Sequence, residues 1–209
     1  MARHITASCR LCRREGVKLF LKGTKCTADK CAFDKRQYAP GQHGQMRKRK
    51  STDYAIQLRE KQKAKRIYGV LERQFENYFH KAEKARGATG EVLLQLLERR
   101  LDNVIFRAAF SGSRAQARQL VGHKFVKVNG RRVNIPSYLV KAGDEVEIAA
   151  KEAQAKAIKE NAKILEDRGT PDWLEASSEK LAVKIKRLPM KSDIGMEIEE
   201  SLIVELYSK

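Results

Sequence analysis

The chain has 209 residues, 42% of them hydrophobic, and 44 Lys and Arg against 26 Asp and Glu give a formal net charge of +18 and a pI near 9.9. That length accommodates one large domain or two modest ones, and so large a cationic excess selects a polyanion as partner, nucleic acid ahead of an anionic membrane. No apolar run is long enough to span a bilayer and the N-terminal stretch lacks the apolar centre of a signal peptide, so membrane is the weaker option and a reducing cytoplasm is expected.

The charge is graded, with a net +11 over residues 1–50, +4 over each of 51–100 and 101–150, and −1 over 151–209. The basic end begins with a C-x2-C pair, Cys9 and Cys12, followed by Cys26 and then Cys31 in a looser C-x4-C arrangement. Clustered thiols in a reducing compartment point to metal ligands rather than disulfides. A structural Zn2+ takes four soft ligands at tetrahedral corners, and a C-x2-C turn aims two thiolates at one point. An iron–sulfur cluster uses the same four thiolates, and thiols without metal are the third reading. Arg10, Arg13, Arg14, Lys22, Lys25, Lys30, Lys35 and Arg36 surround the cysteines; they outweigh the residual negative charge of a four-thiolate centre and leave positive charge for a partner.

The segment 1–44 closes on "PGQHG" (Pro40–Gly44), a turn-rich connector, and the basic "QMRKRKS" (Gln45–Ser51) reads as a solvated arm. From Ser51 the apolar residues Tyr54, Leu58, Ile67, Leu71, Phe75 and Phe79 recur at helical spacing with a break near Gly69, and Thr52 or Asp53 can cap the first helix. This segment has a basic face of Arg59, Lys61, Lys63, Lys65 and Arg66.

From Thr89 the pattern predicts one helix through "EVLLQLLERRLDNVIFRAAF", with Leu97, Leu101, Val104, Ile105 and Ala108 inward. A second helix, "SRAQARQLVG", has Ser113 as N-cap, Gln116 as its capping partner and Gly122 as stop. Arg114 and Arg118, four apart, project together and can address neighbouring phosphates; replacing both with Ala is expected to weaken RNA binding and spare stability. "FVKVNGRRVNI" is a hairpin about Asn129-Gly130, and "GDEVEI" (Gly143–Ile148) a further strand. Residues 151–168 are predicted as an Ala- and Lys-rich helix, and "LAVKI" and "LIVEL" as strands or a terminal packing element. His4, His43, His80 and His123 lie far apart without ligand spacing, and the chain has no phosphate-cradling loop, paired carboxylates or activated nucleophile. It is therefore read as a non-enzyme.

Six strings in order, "CRLCRREG", "PGQHG", "DYAIQLREKQKAKRIYGVLERQF", "RRLDNVIFRAAF", "SRAQARQLV" and "VNGRRVNIPSYLV", resemble the S-four family of bacterial small-subunit ribosomal proteins. The resemblance implies an α+β fold in three parts. These are a cysteine-rich metal-knuckle arm over 1–44, a small helical domain over 45–98 with the tail from about 185 to 209 a candidate to pack on it, and an RNA-binding domain over 99–184. The last has its core module at about 99–160, two helices with an antiparallel hairpin and further strands. Implied function is early binding of 16S rRNA, nucleation of the small-subunit body and a contribution to translational accuracy, with protein S-five and other small-subunit proteins as partners.

Carried onto this chain, the RNA surface takes in Arg107, Ser113, Arg114, Gln116, Arg118, Lys124, Lys127, Asn129, Arg131 and Arg132, beside the arm cations and the basic helix face. Arg47, Arg49 and Lys50 would lie near the channel by which messenger RNA enters. No homo-oligomer is expected. The same module is also carried by RNA-modifying enzymes and could imitate a DNA-reading helix pair, but little chain is left for a catalytic domain and no dimerisation heptad is present.

Overall fold

The computed structural model of the protein describes residues 6–46, 50–150, 155–156, 158–160, 162 and 169–208. Arg47 and Arg49, and most of the predicted 151–168 helix, lie outside the described residues. The chain forms two compact units, the first running to Leu93 and resuming at Met196, the second covering Leu94–Gly195.

The first unit opens with helix α1 (Ser8–Glu15), stopped by Gly16 in the left-handed conformation at φ +74, and a short helix α2 (Ala32–Lys35). Helix α3 (Asp53–Ile67) starts where the sequence predicts, because the Thr52 hydroxyl accepts the Ala55 N–H. It ends before Gly69, whose φ of +62 turns the chain into α4 (Glu72–Glu83). The inward stripe matches the predicted one at Ile67, Phe75 and Phe79, and departs from it in that Tyr54 and Leu71 are exposed while Ala64 and Ala82 are buried.

"LIVEL" belongs to helix α8 (Glu200–Tyr207) rather than to a strand. This helix lies on α3 and α4: Tyr207 stacks on Phe79 at 4.4 Å and on Phe75 at 6.4 Å, Gln57 donates to Glu205, and Ile203 is fully buried. A β-branched run that alternates poorly is captured as a helix because three aromatic rings and a buried amide supply its tertiary partners.

In the second unit the predicted long helix is two, α5 (Thr89–Glu98), which carries the chain from the first unit, and α6 (Leu101–Arg107). The break has a backbone cause. The Leu101 and Asp102 N–H groups bond to the Tyr138 and Pro136 carbonyls, and the Val140 N–H bonds back to Arg99, so an extended segment takes the donors that a continuous helix would use internally. Helix α7 (Arg114–Gly122) is capped as predicted, the Ser113 hydroxyl accepting the Gln116 N–H and the Gln116 side chain accepting the Gly112 N–H.

Strands β1 (Val126–Val128) and β2 (Arg131–Arg132) form the expected hairpin. Asn129 at φ +49 and Gly130 at φ +75 make the turn whose twist suits paired strands. β3 (Glu145–Ile148), β4 (Leu174–Ser177) and β5 (Ala182–Ile185) complete an antiparallel sheet in the order β2-β1-β3-β5-β4. The β4 strand was not foreseen. Leu101, Val104, Ile105, Val121, Val126, Val146, Trp173 and Val183, each fully buried or within a few percent of it, join α6, α7 and the sheet in one core.

Candidate nucleic-acid interface

All four thiols are free, with Cys12, Cys26 and Cys31 buried and Cys9 half-buried. Burial pushes the Cys12 and Cys26 thiols up, backbone amides of Leu19 and Lys22 oppose this, and neighbouring thiols, Cys9 and Cys31 in both cases, push them up further. The Lys22 N–H approaches the Cys26 sulfur at 3.3 Å. Among the described residues, however, no group of three or more Cys, His, Asp or Glu side chains is arranged to hold a metal ion. The donor set suits zinc chemically. Arg13 ties this region to the connector: its Nε donates to the Tyr38 carbonyl at 2.9 Å and its guanidinium lies 4.8 Å from the Tyr38 ring centre.

The predicted basic face of α3 divides in two. Arg59 and Arg66 both reach the carboxylate of Glu15, which is almost wholly buried, so α1 is held on α3. Lys61 and Lys65 grip opposite oxygens of Glu72 at 2.5 and 2.8 Å, and Lys63 bonds to Glu60 at 2.9 Å.

Burial would raise the Glu72 pKa, but the hydrogen bonds from Lys61 and Lys65 overcome it and hold the carboxyl at about 2, against an ordinary 4.5. A folded-state pKa below the unfolded one gives stability that is complete above the ordinary value and is lost as pH falls through the folded one. The stability difference between wild type and Glu72→Gln is therefore expected to be largest near neutrality and to shrink between pH 4.5 and about 2, as urea titrations across that range would show.

In the second unit two buried carboxylates organise the cations of α6 and α7. Glu98 binds the Arg107 guanidinium through both oxygens, at 3.0 and 2.7 Å, and accepts the Asn103 amide at 2.7 Å. Asp102 takes two hydrogen bonds from the fully buried Arg100, at 3.2 and 2.9 Å, and one from Arg118 at 3.1 Å. Arg114 donates to Asn103 at 2.8 Å and lies over the Phe106 ring, 4.3 Å from its centre.

Arg114 and Arg118 do project to one side, as their spacing predicts, but each already has a partner on α6. The expectation that replacing both would spare stability gives way to a cost for breaking α6–α7 contacts. Asn129 is likewise engaged at both ends, donating to Asp144 and accepting the Glu145 N–H, each at 2.9 Å, so it pins the hairpin tip to the next strand.

A second set faces outward. Arg10, Arg14, Lys22, Lys25, Lys30, Lys35, Arg36, Lys50, Lys124, Arg131 and Arg132 are exposed and Lys127 half-buried; their charged groups make no ion pair among the described residues. Lys124 is displayed by a left-handed φ of +63 just after α7, and Arg131 and Arg132 form the exposed edge strand of the sheet. Sequence reasoning missed the carboxylates Glu15, Glu72, Glu98 and Asp102. The pairs of α3 and α6 with Glu15, Glu98 and Asp102 span turns or helix breaks, so no helical spacing announces them.

Comparison with known proteins agrees with this layout. Residues 3–98 match the family model described as the ribosomal protein S4/S9 N-terminal domain, and residues 99–146 match the S4 domain. The small ribosomal subunit proteins uS4 of Thermodesulfovibrio yellowstonii and Syntrophus aciditrophicus are 56% and 54% identical to this chain over 209 residues, and uS4A of Alkaliphilus oremlandii is 60% identical over 212, all with complete coverage of both chains. With two consecutive domain models and full-length relatives above half identity, the chain belongs to the uS4 family of small ribosomal subunit proteins.

Proposed function

We propose that this protein is a structural component of the small ribosomal subunit that binds folded 16S rRNA early in assembly and resides, ribosome-bound, in the cytoplasm. The observation that carries the reading is the unpaired cationic edge of the second unit, Lys124, Lys127, Arg131 and Arg132, standing on an α6–α7 platform whose other cations are locked internally. The outward set supplies phosphate contacts and the locked set holds the surface in shape. In the first unit, Arg10, Arg13, Arg14, Lys22, Lys25, Lys35 and Arg36 of the N-terminal arm are further proposed RNA contacts. Lys50, with Arg47 and Arg49, faces incoming messenger RNA, and protein S-five is a neighbour in the assembled subunit with a bearing on accuracy.

Cys9, Cys12, Cys26 and Cys31 are proposed ligands for zinc, with an iron–sulfur cluster as the alternative. Three buried free thiols and their mutual charge influence support this assignment. A bound ion would cross-link the arm without chemical turnover. Metal analysis of purified protein is expected to find near-stoichiometric zinc, and neither zinc nor iron would remove the assignment.

Filter binding tests the RNA reading. A transcript of the 5′ domain of 16S rRNA is expected to bind far more tightly than duplex DNA of equal length, with affinity falling steeply as salt rises. Equal affinity for both would refute it.

A further inference from the structure

We infer that Phe20 is a stacking platform for an unpaired RNA base. The inference rests on the RNA-binding reading above and adds to it a contact that charge alone does not supply.

Phe20 sits at φ +50, in the left-handed region that aromatic residues rarely adopt. Strain of this kind persists only where the surroundings over-determine the backbone, and here they do so on both sides. Leu19 is fully buried, while the Lys22 N–H bonds to the Cys26 thiol at 3.3 Å. Held between these two fixed points, the chain buries Leu19 and turns the next side chain out, leaving Phe20 40% exposed.

A strained conformation that hid an aromatic ring would be explained by packing. One that displays it in the most basic part of the chain is not. Val17 beside it is 41% exposed, and the exposed Lys22 and Lys25 follow within five residues. An exposed π-face in a segment that also displays cations suits a splayed nucleotide, whose base stacks and whose phosphates pair with ammonium groups. A protein partner with an apolar surface would be repelled by the charge of this segment unless it were strongly acidic.

The test uses the full chain with the 16S 5′-domain transcript as probe. Phe20→Gly removes the ring and relieves the left-handed strain, so it is expected to melt no lower than wild type yet bind the transcript about 5- to 150-fold more weakly, the range for loss of one stacked base. Phe20→Leu keeps apolar bulk without a π-face and is expected to show a similar loss, whereas Phe20→Trp binds like wild type and its fluorescence is quenched on adding RNA. The salt slope stays unchanged in all three, because no phosphate contact is lost.

Wild-type affinity in Phe20→Gly or Phe20→Leu, or unaltered fluorescence in Phe20→Trp on a bound transcript, overturns the stacking site alone. Failure of the wild type to bind the transcript removes the RNA-binding reading and the stacking site with it.

Discussion

Replacing Asp102 with Ala is expected to destabilise the protein by about 3–5 kcal/mol, the range for removing one partner of a buried ion pair. The Arg100 side chain is wholly inaccessible to solvent and donates two hydrogen bonds to that carboxylate, so its charge would lose a compensating anion that water cannot replace. Arg118 would lose the same anchor and α7 one of its links to α6. In a unit of this size the loss corresponds to a fall in melting temperature on the order of 10–20 °C. Arg118→Ala should cost much less, since its guanidinium is only part-buried and Asp102 keeps Arg100. Differential scanning calorimetry of the two variants gives the comparison, and equal losses would show that Arg100 does not depend on Asp102.

The second large effect is on binding. Changing Lys124, Lys127, Arg131 and Arg132 together to Ala should lower affinity for the 16S 5′-domain transcript on the order of 10³-fold at 0.1 M salt and make the salt dependence shallower by about 4, one for each phosphate contact removed. Stability should stay within about 0.5 kcal/mol of wild type per surface substitution, because these side chains are exposed or half-buried and none is paired among the described residues. Binding measured across a salt series separates this from loss of fold. A salt slope unchanged in the quadruple variant would move the phosphate contacts elsewhere on the surface. The two experiments divide the cations of one small unit into those that build the surface and those that use it.

That division was only partly legible in the sequence. Local signals were accurate where the physics is local. Thr52 and Ser113 cap their helices and Asn129-Gly130 forms its turn, because each depends on a hydroxyl or a left-handed backbone within a few residues. The break between α5 and α6 was hidden, since residues 89–108 keep helical periodicity and the competing acceptors, the Tyr138 and Pro136 carbonyls, come from far along the chain.

The same distance concealed the charge pairs. Arg59, Arg66, Arg107 and Arg118 read as cations on exposed faces, and only the folded chain brings Glu15, Glu98 and Asp102 against them. Composition could report how much positive charge there is but not how much of it is already neutralised from within. The family resemblance, by contrast, rests on strings spread between Cys9 and Val140, and the full-length relatives agree with it.

The placement of α8 bears on the order in which the molecule can be completed as it is made. Its rings and amide contacts close the helical unit against Phe75, Phe79 and Gln57, yet it is translated after the whole of the sheet-bearing unit. A nascent chain can therefore finish the sheet and the α6–α7 pair while the helical unit still exposes the apolar face that Tyr207 and Ile203 will cover. Emergence of the last helix from the ribosome is then the step that seals the first unit, so a chain interrupted shortly before its end would carry a finished RNA-facing half and an open, sticky one.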